Sequence, residues 1–90
     1  MNDRTMPYFV DTPPSDDVAT DYDRSHLKLY ARLLDAEADG ASVAEIVDIL
    51  FGIDAQNDPN RAKKVHDSHL SRARWMAENG YRDLLVQHTN

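Results

Sequence analysis

The chain contains no cysteine and only three glycines, and its longest purely apolar runs are a few residues long. Without cysteine, disulfide frameworks, thiolate metal sites and thiol nucleophiles are excluded. With so few glycines, no glycine-rich loop is available to hold a phosphate group. The short apolar runs provide neither a membrane span nor a signal peptide, so we expect a cytoplasmic protein that does not contact membranes.

Basic residues are also scarce, since ten lysines and arginines stand against sixteen acids and give a net charge of -6. Residues 1–24 carry six acids and two bases, residues 25–53 carry five and two, and residues 54–90 carry five and six. DNA repels an acidic surface and rewards only local basic patches. The charge therefore predicts that the chain does not bind DNA directly, although its last third leaves room for a basic patch.

The first 20 residues contain three of the four prolines and show no helical period. Pro13-Pro14 and Asp16-Asp17 predict a flexible acidic arm over residues 1–20. Its apolar triplet, Tyr8-Phe9-Val10, either belongs to a free tail or docks on the domain or on a partner. The remaining residues, 21–90, are predicted to form one small helix-turn-helix-like domain.

Three helices are predicted in that domain, which makes the fold all-α. The first covers about residues 22–39, with Asp21 or Asp23 as its N-cap and Gly40 at its end. A short second helix begins after Ser42, because the Ser-x-x-Glu pattern found there is a capping box. Val43, Ile46, Val47 and Leu50 are predicted to face inward, and Gly52 ends the helix after Phe51.

The third helix is predicted over residues 59–79, where Asp58 suits the N-cap and Pro59 the first helical position. About eight turn-forming residues, IDAQNDPN, precede it. This arrangement predicts a small three-helix domain, a helix-turn-helix variant with an extended turn, and a plain three-helix bundle is the alternative. The sequence YRDLLVQ, which follows Gly80, predicts a short C-terminal helical turn or a short strand.

Basic side chains on the third helix form one candidate functional surface. Phosphates and base edges are bound by such residues in DNA-binding helices. They spread over more than half of the helix circumference, so an ordinary solvated surface is the alternative. The candidate DNA-binding residues are Arg61, Lys63, Lys64, Arg72 and Arg74.

Apolar side chains form the competing surface. The first helix has two apolar stripes: one contains Leu27, Tyr30, Ala31, Leu34 and Ala38, and the second contains Leu29, Leu33 and Ala36. A helix that is apolar on two sides is either sandwiched or keeps one face for a partner. Trp75 is placed opposite the inner face of the third helix, where it would anchor an interface unless the arm or the C-terminal residues cover it. The predicted partner-binding residues are Leu29, Leu33, Trp75, Tyr81, Leu84 and Leu85.

The sequence predicts no catalytic or metal-binding role for the histidines. His66, Asp67, Ser68 and His69 contain the residue types of a hydrolase triad, but neighbours on a helix point about 100° apart. The two histidines alone are too few to bind zinc. We therefore predict no enzymatic activity, no catalytic or metal-binding residues and no cofactor.

The strings DSHLSRARWM and GYRDLL, within residues 22–86, resemble the bacterial family known as domain of unknown function 2285. The resemblance implies a helix-turn-helix variant with an extended turn. Activator members of that family join such a domain to a second domain and bind DNA through a positive face. Acidic stand-alone members, found with integrative and conjugative elements, are antiactivators that bind the activator and block quorum-sensing-linked expression of transfer genes.

The acidic balance of this chain, and a short arm in place of a second domain, match the stand-alone members. The resemblance therefore implies an antiactivator that binds the transcriptional activator of a transfer system rather than DNA, and we expect a monomer. Acidic residues near the second and third helices are expected to repel phosphate: Glu45, Asp48, Asp54, Asp58 and Asp67. The alternative is a DNA-binding helix-turn-helix regulator that uses the basic residues of the third helix.

Overall fold

A computed structural model describes residues 9–80, and all of its regular structure in that range is helical. The elements are α1 (Asp21–Ser25), α2 (Leu27–Ala38), α3 (Val43–Phe51), α4 (Pro59–Trp75) and a π-helical turn (Met76–Gly80). Both α2 and α3 pack on α4, which is the central element. The predicted all-α class is confirmed, while the predicted helical turn after Gly80 lies outside the described residues. None of the helices in the described range has the length and apolar character to cross a membrane.

The predicted first helix is two helices because His26 interrupts it. The Nδ1 atom of His26 lies 2.7 Å from the carbonyl oxygen of Tyr22, which would otherwise accept the His26 amide. That amide donates instead to the carbonyl of Asp23, three residues back, at 3.0 Å. The N-cap is Thr20 rather than Asp21 or Asp23, and Asp23 is the N3 residue of a capping box.

The boundaries of α3 agree with the prediction, but Val43, predicted to face inward, is 40% exposed. The hydroxyl of Ser42 accepts the amide of Glu45 at 3.1 Å, and the Glu45 carboxylate accepts the amide of Ser42 at 3.0 Å. Gly52 ends the helix with φ of 67°, in the left-handed region that favours glycine. The connection to α4 is longer than an ordinary helix-turn-helix turn. Pro59 opens α4 as predicted, but Asp58 makes no side-chain capping bond.

The core lies between α2, α3 and α4. The buried residues of α4 and the π-helical turn are Ala62, Val65, His66, His69, Leu70, Arg72, Ala73 and Met76. All but Arg72 are at the helical spacing that predicts an inner face, whereas Ala77, at the same spacing, is exposed. Leu29 and Leu33 are only 2% and 0% exposed and belong to the same core cluster as Ile46 and Val47. Tyr30, from the other stripe of α2, is also buried, at 3% exposed, in a second cluster with Ala19, Ala73 and Met76. The sandwiched helix is therefore the alternative observed. The prediction that Leu29 and Leu33 are exposed for a partner is wrong, because both lie in the core.

The described part of the arm packs on the domain. Phe9 meets Phe51 edge to face, with 4.9 Å between ring centroids. Farther along, Pro13 and Ala19 are buried. Of the alternatives for the apolar triplet, docking on the domain is therefore the one observed for Phe9, while Tyr8 lies outside the described residues.

Candidate nucleic-acid interface

The solvent-facing side of α4 carries one continuous polar stripe. Successive spacings of four and three residues place its members on the same side of the helix, over about 21 Å. We call them the outer stripe: Asn60, Lys64, Asp67, Ser71 and Arg74. All five are exposed. Four of the five, all except Asp67, are residue types that bind base edges and phosphates, so the stripe is a candidate nucleic-acid-binding surface.

Two cations of the outer stripe are uncompensated. Within the described residues, Lys64 and Arg74 form no ion pair or hydrogen bond through their side chains. The acid that interrupts the stripe, Asp67, is balanced locally, because Lys63 Nζ lies 2.8 Å from it and His66 Nδ1 lies 2.9 Å from it. The hydrogen bond from Lys63 lowers the pKa of Asp67. The positive charge of the outer stripe therefore lies at Lys64 and Arg74, where no carboxylate pairs with the cation.

The arm binds Arg61 beside the outer stripe. The Nε and Nη2 atoms of Arg61 both lie 3.0 Å from Oδ1 of Asp11. The guanidinium also stands over the ring of Phe9, 5.6 Å from its centroid. The hydroxyl of Ser68 donates to the backbone carbonyl of Asp11 at 3.1 Å. The guanidinium of Arg61 is therefore exposed but already paired with the carboxylate of Asp11.

Arg72 is buried and serves the fold. Its Nε and Nη2 atoms donate to both carboxylate oxygens of Asp23 at 3.0 and 2.6 Å. Nη1 donates to the carbonyl of Asp16 at 2.7 Å, and Nη2 also donates to that of Val18 at 3.1 Å. The guanidinium lies 4.1 Å from the ring centroid of Trp75. Arg72 is therefore not available to DNA, and Trp75 is a half-buried residue beneath it rather than an open anchor.

Asp23 is fully buried and remains ionised. Besides Arg72, the hydroxyl of Tyr30 donates to it at 2.8 Å and the amide of Thr20 at 2.9 Å. Burial by itself raises the pKa of Asp23, but the hydrogen bonds from Arg72, Thr20 and Tyr30 outweigh burial and hold the pKa at about 2. Burial, and then the bond to Asp23, raises the pKa of Tyr30. The Asp23–Arg72 pair thus joins α1, α4 and the arm.

The neutral ring of His69 also links α4 to α1 and to the arm. Its Nδ1 lies 2.9 Å from the carbonyl of Val65, which can only accept, so Nδ1 carries the hydrogen. Nε2 then accepts the hydroxyl of Tyr22 at 2.8 Å, and that hydroxyl accepts the amide of Val10 at 3.2 Å. Burial lowers the pKa of His69. In the described part of the chain, no three histidine or acidic side chains converge as metal ligands.

Acid is expected to destabilise the domain in two steps. As the pH falls below 6.5, the unfolded chain protonates at His69 while the buried ring resists, so stability declines. As the pH falls from 3.8 towards about 2, the carboxyl of Asp23 protonates first in the unfolded chain. This second step removes about 2 kcal/mol of unfolding free energy. Urea unfolding followed by circular dichroism at about pH 7, 5 and 2 measures both steps.

The variant His69→Gln separates the two contributions, because an amide can bond to Tyr22 and Val65 without titrating. Between about pH 7 and 5, we expect His69→Gln to lose less unfolding free energy than the unaltered protein. Below about pH 4, both proteins should lose the same amount. Equal stability of the unaltered protein at about pH 7 and 2 would contradict the ionised, paired state of Asp23.

The acids expected to repel phosphate lie mostly away from the outer stripe. Glu45 is engaged in the capping box of α3, and Asp54 accepts the amide of Gln56 at 2.9 Å within the connection. Asp48 and Asp58 are exposed on α3 and in the connection. Of the five acids, Asp67 belongs to the outer stripe and Asp58 immediately precedes α4, while the other three lie on α3 or in the connection.

Three of the predicted partner-binding residues lie outside the described residues: Tyr81, Leu84 and Leu85.

A short capped helix, a turn and a long helix with an outward row of polar donors define a helix-turn-helix-like domain, the class in which the second helix enters a DNA groove. The family model of the RovC DNA-binding domain, described as "T6SS, Transcription factor, DNA binding domain", matches residues 4–86. The chain belongs to this family of transcription factor DNA-binding domains. No curated protein matches the chain.

The family overturns the prediction that the chain does not bind DNA directly. A net charge of -6 is a sum over the whole molecule, whereas DNA meets one face, so the sum does not determine the potential at α4. The resemblance to domain of unknown function 2285 is supported in its general character, a helix-turn-helix-like domain involved in transcription. The family description contains nothing about antiactivation, quorum sensing or conjugative elements.

Proposed function

We propose that this domain binds double-stranded DNA as part of a transcription regulator, with α4 lying in the major groove. The observation that supports this most is the outer stripe of α4 in a chain from a family of DNA-binding domains. In helix-turn-helix proteins the first residues of the second helix contact base edges, and here these are Asn60 and Lys64. Arg74 lies about 15 Å farther along α4 and is placed for a backbone phosphate. The family description suggests T6SS genes as the targets.

Arg61 and Lys63 are proposed as further phosphate contacts that must first exchange a partner. Asp11 and Asp67 now bind them at 3.0 and 2.8 Å, respectively. The side chains of the two cations are 43% and 78% exposed, and ion pairs this exposed are weak. A phosphate can therefore replace each carboxylate. Arg72 takes no part, because its side chain is 5% exposed and paired with a buried acid.

The variants Lys64→Ala and Arg74→Ala are each expected to weaken DNA binding about tenfold, because each removes an uncompensated cation from the outer stripe. Binding is measured by fluorescence anisotropy on a labelled pool of random-sequence duplexes, first at low salt and then at increasing salt. The logarithm of the binding constant should fall linearly with the logarithm of the salt concentration. Each variant should reduce that slope by about one.

Lys28→Ala is the matched control, since Lys28 is an exposed cation on α2 without an ion pair in the described residues. It removes the same charge from another surface and should keep most of the affinity. Equal losses in Lys28→Ala and Lys64→Ala would mean that only net charge matters. An unaltered protein that fails to bind the duplex pool at low salt would rule out the proposed function.

A second candidate function is competition with a homologous activator. It is favoured by the exposed carboxylates of Glu45 and Asp48, because the first helix of a helix-turn-helix unit crosses the DNA backbone. Ile49, also on α3, is 75% exposed and adds apolar surface there. In this role the domain lowers the activator's occupancy of its promoter by binding the activator itself. The partner-binding residues that remain proposed are Trp75, Tyr81, Leu84 and Leu85.

Adding the domain to a preformed complex of a homologous activator and its promoter separates the two functions. Competition for DNA should need about ten times more of the Lys64→Ala variant, because that variant binds DNA about tenfold more weakly. Competition for the activator survives in Lys64→Ala and is lost in Trp75→Ala. If both variants compete as well as the unaltered domain, neither mechanism acts through Lys64 or Trp75.

A further inference from the structure

The arm runs along α4 in the same direction as the helix. Near its start, the carboxylate of Asp11 binds Arg61 in the first turns of α4. Farther on, the carbonyls of Asp16 and Val18 bind Arg72 near the end of α4. The arm therefore follows one side of the outer stripe, and its acidic residues lie beside the surface proposed to bind DNA.

The contact between Asp11 and Arg61 has the chemistry of a phosphate contact. One carboxylate oxygen of Asp11 lies 3.0 Å from both Nε and Nη2 of Arg61. Phosphate oxygens engage the same donors of arginine. Two neighbours hold the pair in place: Phe9 lies under the guanidinium, and Ser68 donates to the Asp11 carbonyl. Arg61 cannot direct these donors to a phosphate while Asp11 occupies them.

We infer that Asp11 is an intramolecular competitor of DNA for Arg61, and that the arm thereby limits the affinity of α4 for DNA. This inference rests on the proposed function and adds its regulation. The side chains of Arg61 and Asp11 are 43% and 41% exposed, so the pair is weak enough to exchange with phosphate. The second attachment of the arm, at Arg72, is buried and persists when the first is released.

The variant Asp11→Asn tests the inference, because it keeps the shape of the side chain and removes its charge. It should bind the random duplex pool about two- to fivefold more tightly than the unaltered protein, the range expected when an exposed ion pair no longer competes. Asp17→Asn is the matched control, since Asp17 is exposed on the same arm and makes no side-chain bond within the described residues. Its affinity should change clearly less.

A double-mutant cycle shows whether the effect passes through Arg61. In an Arg61→Ala background, Asp11→Asn should no longer tighten binding. A gain in affinity that persists in the Arg61→Ala background, or an equal gain in Asp17→Asn, would overturn the competition between Asp11 and DNA. The proposed DNA binding would still stand. If neither the unaltered protein nor any variant binds the duplexes at low salt, the proposed function fails, and the competition fails with it.

The free protein gives an independent readout. The Nε–H resonance of Arg61 in nitrogen-15 NMR spectra should move on Asp11→Asn and not on Asp17→Asn, because only Asp11 accepts from that group. Saturation of the unaltered protein with duplex should also move this resonance, as the acceptor changes from carboxylate to phosphate. An Arg61 resonance that DNA leaves unchanged, in a protein that binds, would overturn the inference.

Discussion

Replacing Arg72 by alanine is expected to lower the free energy of unfolding by about 3–5 kcal/mol, the cost of removing one partner from a buried ion pair. The carboxylate of Asp23 is 0% exposed and would lose two hydrogen bonds of 3.0 and 2.6 Å. The carbonyls of Asp16 and Val18 would lose their donors as well. Urea unfolding followed by circular dichroism measures the loss.

The control for this prediction is the neighbouring Arg74→Ala. Arg74 is exposed and without an ion pair in the described residues, so its removal should change stability by about 0.5 kcal/mol or less. Arg72→Lys should fall between the two variants, because lysine restores the charge but not the planar fork of donors. Similar stabilities of Arg72→Ala and Arg74→Ala would show that the buried pair contributes little.

Leu33→Asp is expected to unfold the domain. Leu33 is 0% exposed and packs in the cluster that joins α2, α3 and α4. The variant loses about 2–5 kcal/mol of leucine packing and also buries a carboxylate without a partner, which costs several kcal/mol more. Small domains have a total stability of about 5–15 kcal/mol, so the sum is comparable with all of it. Far-ultraviolet circular dichroism should show the loss of most helical signal.

Ile49→Asp is the matched control for Leu33→Asp. The side chain of Ile49 is 75% exposed on α3, so the same introduction of a carboxylate at a branched apolar residue should leave the helical signal intact. A folded Leu33→Asp variant would instead support the position that the sequence predicted for Leu33, on a surface available to a partner.

The elements predicted well are those that neighbouring residues determine. The boundaries of α3 depend on a capping box from Ser42 to Glu45 and on a glycine in the left-handed region, both visible within ten residues of sequence. The inner face of α4 follows from the spacing of its apolar residues in the same way. The extended turn follows from the run of turn-forming residues before Pro59.

The elements predicted poorly depend on residues distant in the chain. Leu29 and Leu33 form one of two apolar stripes on α2, and the packing of other elements decides whether each stripe is covered or left for a partner. Arg72 looked like its exposed neighbours because its partner, Asp23, lies 49 residues away in sequence. The interruption at His26 is a local exception, because it depends on a ring that bonds to the carbonyl of Tyr22 four residues back, which apolar periodicity does not detect.

The candidate interface was predicted in part. Lys64 and Arg74 are where the sequence placed them, on the outside of a long helix. The sequence did not separate them from Arg61, Lys63 and Arg72, because pairing with distant or adjacent acids decides which cations remain available. Net charge misled for a different reason, because it is a sum over the whole molecule, whereas DNA meets one face.

The stacking of Arg72 on Trp75 gives the domain a spectroscopic probe of its own. Trp75 is the chain's single tryptophan and lies 4.1 Å from the guanidinium of Arg72. Its emission therefore reports on one junction, where the arm meets α4, whereas circular dichroism reports on all the helices. Coincident transitions by the two signals would mean that the junction opens only when the helices unfold. An earlier fluorescence transition would mean that the arm detaches from an otherwise folded domain.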